Sequence, residues 1–258
     1  MKSTLELLPK LSANPWFGSL PLSEQLAVLS ACEWLRLGPG EGLFRQGDKV
    51  KPGAGALYCL VKGRLKVSSL REDGKEAILA VLEPGSWFGE IALIDQQPRP
   101  HDGTALGPTE LLALPRPAFD ALMKTSAFSE AMCRMLTARM RLLYGMVEDA
   151  TLRSTPERVA RRLLLLARSD ANRPHGARVV LMVSQEALAM MLGISRQTLS
   201  KELKALVGQG AIRLGYGRIE IKSPAVLERV SPGSRSRCLS ISNDCQLPAA
   251  GAIRGGIP

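Results

Sequence analysis

The sequence is poor in histidine, in aromatic side chains and in clustered cysteine, and each shortage removes a class of chemistry. Only His101 and His175 occur in 258 residues, so a histidine-built metal site has no support. The five cysteines, Cys32, Cys59, Cys133, Cys238 and Cys245, lie far apart and are odd in number. Neither a disulfide framework nor a zinc site follows from them. No apolar run is long enough to span a bilayer. The opening stretch MKSTLELLPKLSANPWF has no continuous hydrophobic segment of secretory type, so a cytoplasmic protein without a membrane partner is expected. No nucleophile–base pair, metal cluster or phosphate-cradling glycine loop stands out, and the chain reads as a non-enzyme.

What is present is charge, unevenly placed. The formal net charge is +10. Residues 1–150 carry 17 basic and 17 acidic side chains; residues 151–230 carry 14 basic and 6 acidic, and the remainder adds +2. A basic unit beside a neutral one is what phosphate binding requires, whereas a solubilising surface would spread its charge over both. The length accommodates two domains, each able to bury a core.

Residues 1–36 read as helical in pieces, with Ser23 capping a segment whose apolar positions are Leu26, Leu29 and Trp34. From Leu37 to Leu114 the runs LYCLV, RLKVSSL, EAILAVL and ELLALP alternate with glycine-marked turns, the pattern of an antiparallel sandwich or barrel. One segment interrupts it, Trp87 to Asp95 followed by Gln96-Gln97-Pro98-Arg99. There Gly89 would admit a ligand close to the backbone, Glu90 would accept a sugar hydroxyl, and Arg99 would pair with a phosphate. A buried Glu–Arg pair holding a loop fits the same residues equally well.

A long helix is expected from about Pro117 to Leu152, with Leu136, Met140, Leu143, Val147 and Ala150 at alternating steps of four and three. That narrow stripe suits a twin helix in a homodimer; packing on the chain's own β-domain is the alternative. Cys133 extends the stripe by one step and is expected as a buried thiol. Thr155, before Pro156, is expected to cap a new helix and to mark a domain boundary. Asn172 to Gly176 reads as a loop and VVLMV as a strand. The segments around Gly215-Tyr216-Gly217 read as a β-hairpin wing. From Ser231 the composition is that of a disordered tail, with Cys238 and Cys245 exposed in it.

The most informative stretch is SQEALAMMLGISRQTLSKELKAL, Ser184 to Leu206. Two short amphipathic helices, each preceded by a serine cap, meet at Gly193. The second begins Ser195-Arg196-Gln197-Thr198 and adds Ser200 and Lys201, gathering hydrogen-bonding side chains on its first two turns. A recognition helix needs this, because its N-terminal part meets base edges in the major groove. A solvated helical hairpin would explain the polar N-terminus alone, but not the paired caps, the turn glycine and the local basic excess together.

These parts, in this order, resemble the bacterial transcription regulators of the Crp/Fnr family. The resemblance rests on FRQGDKV and LYCLVKGRLKV, FGEIALIDQQPR, TPERVARRLLLLA, SQEALAMMLGISRQTLSKELKAL and GAIRLGYGRIEI, and covers roughly residues 20–225. It implies an α+β fold: a β-roll effector domain over 1–116, a dimerisation helix over 117–153 and a winged helix-turn-helix over 154–230, with 231–258 as the tail. It also implies a homodimer on a pseudo-palindromic site in double-stranded promoter DNA, contact with RNA polymerase and a small-molecule effector.

The family's reading run S-R-E-T-x-x-R appears here as Ser195-Arg196-Gln197-Thr198-Leu199-Ser200-Lys201. Arg196 keeps a donor fork suited to guanine, Gln197 in place of glutamate can read adenine, and Lys201 in place of arginine suits phosphate. Ser184 and Gln185 complete the expected DNA-contacting set, and the operator should be related to the type member's but distinct. In the family's cyclic-nucleotide binders F-G-E-x-A-L is followed by R-S-A. Phe88, Gly89, Glu90 and Arg99 match, but Pro100 stands for the serine and His101 for the alanine. Proline removes a hydroxyl and a backbone donor. The Thr-Ser pair that meets adenine has no counterpart in Leu142-Leu143-Tyr144-Gly145-Met146-Val147.

The pocket is therefore expected to have lost ordinary cyclic-AMP binding or to accept a different small molecule, a cyclic nucleotide staying a candidate in spite of the incomplete motif, with Gly89, Glu90, Arg99 and His101 as the effector-binding residues. No metal, haem or iron–sulfur cofactor is expected, since the clustered N-terminal cysteines of Fnr-type sensing are absent. The competing reading is a nucleotide-binding module that controls a protein partner; the basic excess of residues 151–230 argues against it.

Overall fold

A computed structural model describes residues 4–50, 53–70, 76–168 and 180–232. The expected loop from Asn172 to Gly176, the tail beyond Pro232, and Cys238 and Cys245 lie outside the described residues.

A 3-10 turn and three helices, α1 (Leu8–Leu11), α2 (Pro15–Gly18) and α3 (Leu22–Ala31), precede the β-domain. Its strands are β1 (Glu33–Leu37), β2 (Gly42–Phe44), β3 (Ala56–Lys62), β4 (Leu65–Leu70), β5 (Glu76–Leu82), β6 (Trp87–Phe88), β7 (Asp102–Ala105) and β8 (Thr109–Pro115), with α4 (Glu90–Ile94) between β6 and β7. They form two antiparallel four-stranded sheets, β1-β8-β3-β6 and β2-β7-β4-β5. Side chains alternate across a strand. On β3 and β8, Leu57, Cys59, Leu112 and Leu114 join a core shared with the helices, while Leu60 and Leu111 join a second cluster with Leu65 and Phe88. Burial on both faces explains why LYCLV and ELLALP read as continuous apolar runs.

The helix-side core is built on aromatic rings. Trp16 meets Trp87 edge-on at 5.1 Å and Phe128 at 5.8 Å, and Phe17 stacks on Trp87 at 5.2 Å. Asn14 fixes this corner: its side chain caps α2 and its Nδ2 donates to the Gly85 carbonyl at 2.8 Å. The chain continues through α5 (Arg116–Leu122) and α6 (Ser126–Leu152) to α7 (Thr155–Arg168), β9 (Val180–Leu181), α8 (Gln185–Leu192), α9 (Arg196–Gly208), β10 (Ile212–Gly215), β11 (Arg218–Ile221) and α10 (Pro224–Val230). The sheet β10-β11-β9 and the last four helices enclose a separate apolar cluster that includes Val159, Leu163, Leu188, Leu199, Leu203 and Ile219.

Several local expectations are corrected. Trp34 lies in β1, opposite Leu112 of β8, not in a helix; the extended Cys32 ends α3 two residues earlier. Ser23 does not cap α3, which starts at Leu22 after Pro21. The single helix expected from Pro117 is two, because Thr125 accepts the Phe128 N–H and opens α6 afresh. That break lets Phe119 and Phe128 meet edge-on at 5.8 Å in the core. Thr155 is already helical: Ser154 stands before it, with its N–H and hydroxyl both donating to Glu157. The VVLMV strand is limited, among the described residues, to Val180–Leu181. Cys133 is exposed rather than buried.

All three tryptophans lie before residue 117, so fluorescence reports the β-domain alone. Leu203→Ala, at a fully buried position of the second cluster, should cost the C-terminal unit about 2–5 kcal/mol. In urea the helical circular-dichroism transition should move to lower denaturant while tryptophan fluorescence keeps its midpoint.

Candidate DNA-binding and effector sites

The helix pair is made by caps and one glycine. The Ser184 hydroxyl accepts the Ala187 N–H at 3.1 Å to start α8, and the Ser195 hydroxyl accepts the Thr198 N–H at 3.0 Å to start α9. Between them Gly193 adopts φ +63°, a left-handed conformation that costs glycine nothing, and Ile194 donates back to the Ala189 carbonyl at 3.1 Å. Leu188, Leu192, Leu199, Leu203 and Leu206 face the core. This leaves Ser195, Arg196, Gln197, Thr198 and Lys201 in solvent, Ser200 half-buried, and Ser184 exposed beside a half-buried Gln185. The Thr198 hydroxyl also bonds Ser195 at 2.8 Å, so part of its capacity is spent on the cap.

Two neighbours were given no role in the sequence reading. Arg158 of α7 donates to the Leu192 carbonyl and so secures the end of α8. Tyr216 stands fully exposed at the tip of the β10–β11 wing. Arg213 and Lys222 of that wing both bond Glu220, which partly neutralises them.

The second site lies where β6 runs into α4. Gly89 has φ +95°, and a Cβ there would stand 2.8 Å from the Tyr58 ring. Glu90 is buried, and one carboxylate oxygen pairs with Arg139 of α6, which also donates to the Trp87 carbonyl. Its other oxygen, Oε2, has no partner among the described residues. Arg99 is buried too; it donates to the Gly89 carbonyl at 3.1 Å and lies 4.5 Å over the Phe44 ring and 5.9 Å from that of Tyr58. Burial lowers its pKa, opposed by Tyr58, Glu90 and Asp48.

Gly89, Glu90 and Arg99 are thus brought together. His101 shares no hydrogen bond with them among the described residues, and burial pushes its pKa down against the pull of Asp102. A Glu–Arg pair does hold this loop, but with Arg139 and not Arg99. Arg139 was missed because it lies on a helix whose arginines look solvated in sequence. A buried guanidinium without an acidic partner among the described residues, beside an unpartnered carboxylate oxygen, suits an anion carrying a neighbouring hydroxyl. Pro100 adds neither hydroxyl nor N–H.

The stripe on α6 divides. Phe128, Ala131, Met132 and Met135 pack into the N-terminal core. Beyond them Leu136 is half-buried and Ala150 exposed, while Met140, Leu143, Tyr144 and Val147 are each more than half exposed.

A β-domain in which Arg99 and Glu90 are both buried, joined by a long helix to a winged helix-turn-helix, defines a DNA-binding regulator. Residues 34–126 match the cyclic nucleotide-binding domain, and residues 157–230 match the Crp-like helix-turn-helix domain. The chain is 31% identical over 224 residues to the Cyclic AMP receptor protein of Thermus thermophilus, covering 86% of this chain and 99% of that one. It is 31% identical over 177 residues to the CRP-like cAMP-activated global transcriptional regulator of Mycobacterium tuberculosis, covering 68% of this chain and 77% of that one. A solved CRP-family regulator from Thermus thermophilus superposes with TM-score 0.59 at 26% identity, covering 76% of this chain and 96% of that one. FixK2 of Bradyrhizobium japonicum shares the fold at TM-score 0.66 and 20% identity, covering 77% and 96% of the two chains.

The chain belongs to the Crp/Fnr family and is a DNA-binding transcription regulator. The reading as a module without sequence-specific DNA binding finds no support in these matches. No helix among the described residues is long and apolar enough to cross a membrane.

Proposed function

We propose that the protein binds a pseudo-palindromic site in double-stranded promoter DNA as a homodimer, under control of a small anionic effector in the β-roll. The observation that carries the reading is the exposed, serine-capped N-terminus of α9, held by a buried leucine face. In this arrangement Arg196 reads a guanine and Gln197 an adenine, while Ser184, Gln185, Ser195, Thr198, Ser200 and Lys201 hold the backbone and flanking positions. The bare half of the α6 stripe, with Leu136, Met140, Leu143, Val147 and Ala150, supports pairing with a second copy. Contact with RNA polymerase and action in the cytoplasm belong to the same reading.

For the effector, Arg99 takes the anionic group and Glu90 Oε2 a hydroxyl, with Gly89 giving the ligand its approach. His101, half-buried two residues after Arg99, completes the proposed set as a secondary contact. A cyclic nucleotide meets the first two demands. With Pro100 in place the phosphate is held by fewer donors than in the family's R-S-A pattern.

Arg196→Ala should cost about 1–3 kcal/mol of discrimination at one base pair in a binding-site selection, and wild-type binding in gel shifts should fall steeply between two salt concentrations. Unchanged base preference would overturn the Arg196 assignment. Val147→Glu places two carboxylates against each other in the paired helices; native mass spectrometry should show monomer, with promoter binding lost. Arg99→Gln should abolish the melting shift produced by cyclic AMP or by any other cyclic nucleotide that stabilises the wild type. An equal shift in the variant would remove Arg99 from the site.

A further inference from the structure

The joint between α6 and α7 consists of Arg153 and Ser154 alone, with Arg153 extended at φ −104° and ψ 144°. Two residues supply enough soft dihedrals to swing one helix against the other unless side chains cross the joint. Here they do. Asp149, on the last turn of α6 with its side chain 13% exposed, accepts from Arg153 Nε at 2.8 Å. Through its other oxygen it accepts from Arg161 Nε of α7 at 2.5 Å. Arg153 reaches on to the end of α10, donating to the Pro232 carbonyl at 3.1 Å and bonding the buried Ser231 hydroxyl at 3.4 Å. Either side of Arg161, Arg158 holds the Leu192 carbonyl of α8 and Arg162 donates to the Leu79 carbonyl of β5 at 3.3 Å. One stretch of α7 therefore reaches the helix-turn-helix, the long helix and the β-roll.

We propose that Asp149 is a positioning residue for DNA recognition. By bridging Arg153 and Arg161 across the joint, it sets the angle between α6 and the DNA-binding unit, and so the separation of the two recognition helices in the dimer. This rests on the dimeric DNA binding proposed above. Without the carboxylate, two guanidiniums that share one poorly solvated counter-charge are left facing each other, and the joint is pushed open as well as unpinned. A two-fold pair of recognition helices reads half-sites only at the spacing at which the protein holds them. Loosening the joint therefore blurs selectivity for spacing, while each helix keeps its own base preference.

The test uses the full chain and a palindrome obtained by binding-site selection with the wild type, together with versions carrying one or two base pairs more or fewer between the half-sites. Asp149→Asn and Arg161→Gln should bind the selected spacing at least about fivefold more weakly and discriminate far less between spacings. Their base preference and dimer mass should stay those of the wild type, and Arg161→Gln, which leaves no pair of facing guanidiniums, should keep the wild-type melting transition. Asp149→Glu, which keeps the carboxylate, should restore most of the spacing discrimination. Wild-type spacing discrimination in Asp149→Asn would overturn the proposal, as would parallel loss of spacing and base preference with a lowered melting point in both variants. If Asp149→Asn alone melts early, Arg161→Gln, which retains the Asp149–Arg153 bond, decides the matter. Failure of the wild type to select any DNA would instead overturn the proposed function.

Discussion

The ion pair between Glu90 and Arg139 joins the β-roll to the long helix at the candidate effector site. Glu90 is buried, and the cation that meets its carboxylate comes from another element, Arg139 of α6. One contact therefore ties α6 to the carboxylate of the candidate effector site. Arg99, by contrast, is buried over Phe44 and Tyr58 with a backbone carbonyl as its acceptor, so its positive field remains available for a ligand. In the proposed function, a ligand that engages Glu90 Oε2 would act on the same carboxylate that holds α6 through Arg139.

The same contact leads on to α6 itself. Its first half is locked into the aromatic core by Phe128, Met132 and Met135, and its second half leaves Met140, Leu143, Tyr144 and Val147 exposed. A helix of 27 residues spans about 40 Å, so small rotations fixed at one end become displacements at the other. The arginines of α7 receive that end. Arg158, Arg161 and Arg162 each bind a different part of the molecule, which makes α7 the element where effector domain, long helix and recognition unit meet.

The same contacts temper the meaning of the basic excess. Of the basic residues after position 150, Arg153, Arg158, Arg161 and Arg162 are engaged in these internal clamps, and Arg213 and Lys222 share Glu220. The cations that remain exposed on the helix pair, Arg196 and Lys201 among them, are the ones left free for the proposed DNA interface. Charge counting located the right unit, but much of the charge it counted serves architecture.

What the sequence determined by itself were the features written in local chemistry. Ser184, Gly193 and Ser195 define the helix pair because a cap bond and a left-handed glycine are settled within three or four residues of chain. The β-runs of the effector domain and the glycine turn of the wing were legible for the same reason. Tertiary structure decided the rest. It placed Trp34 in a strand because β8 was there to pair with it, and it split the helix at Thr125 so that two phenylalanines could share one core. It also chose Arg139, not Arg99, as the partner of Glu90, across 49 residues of chain. An arginine on a long helix looks the same in sequence whether it faces water, a phosphate or a buried carboxylate; only the packing of distant elements tells these apart, because an ion pair is a property of distance in space.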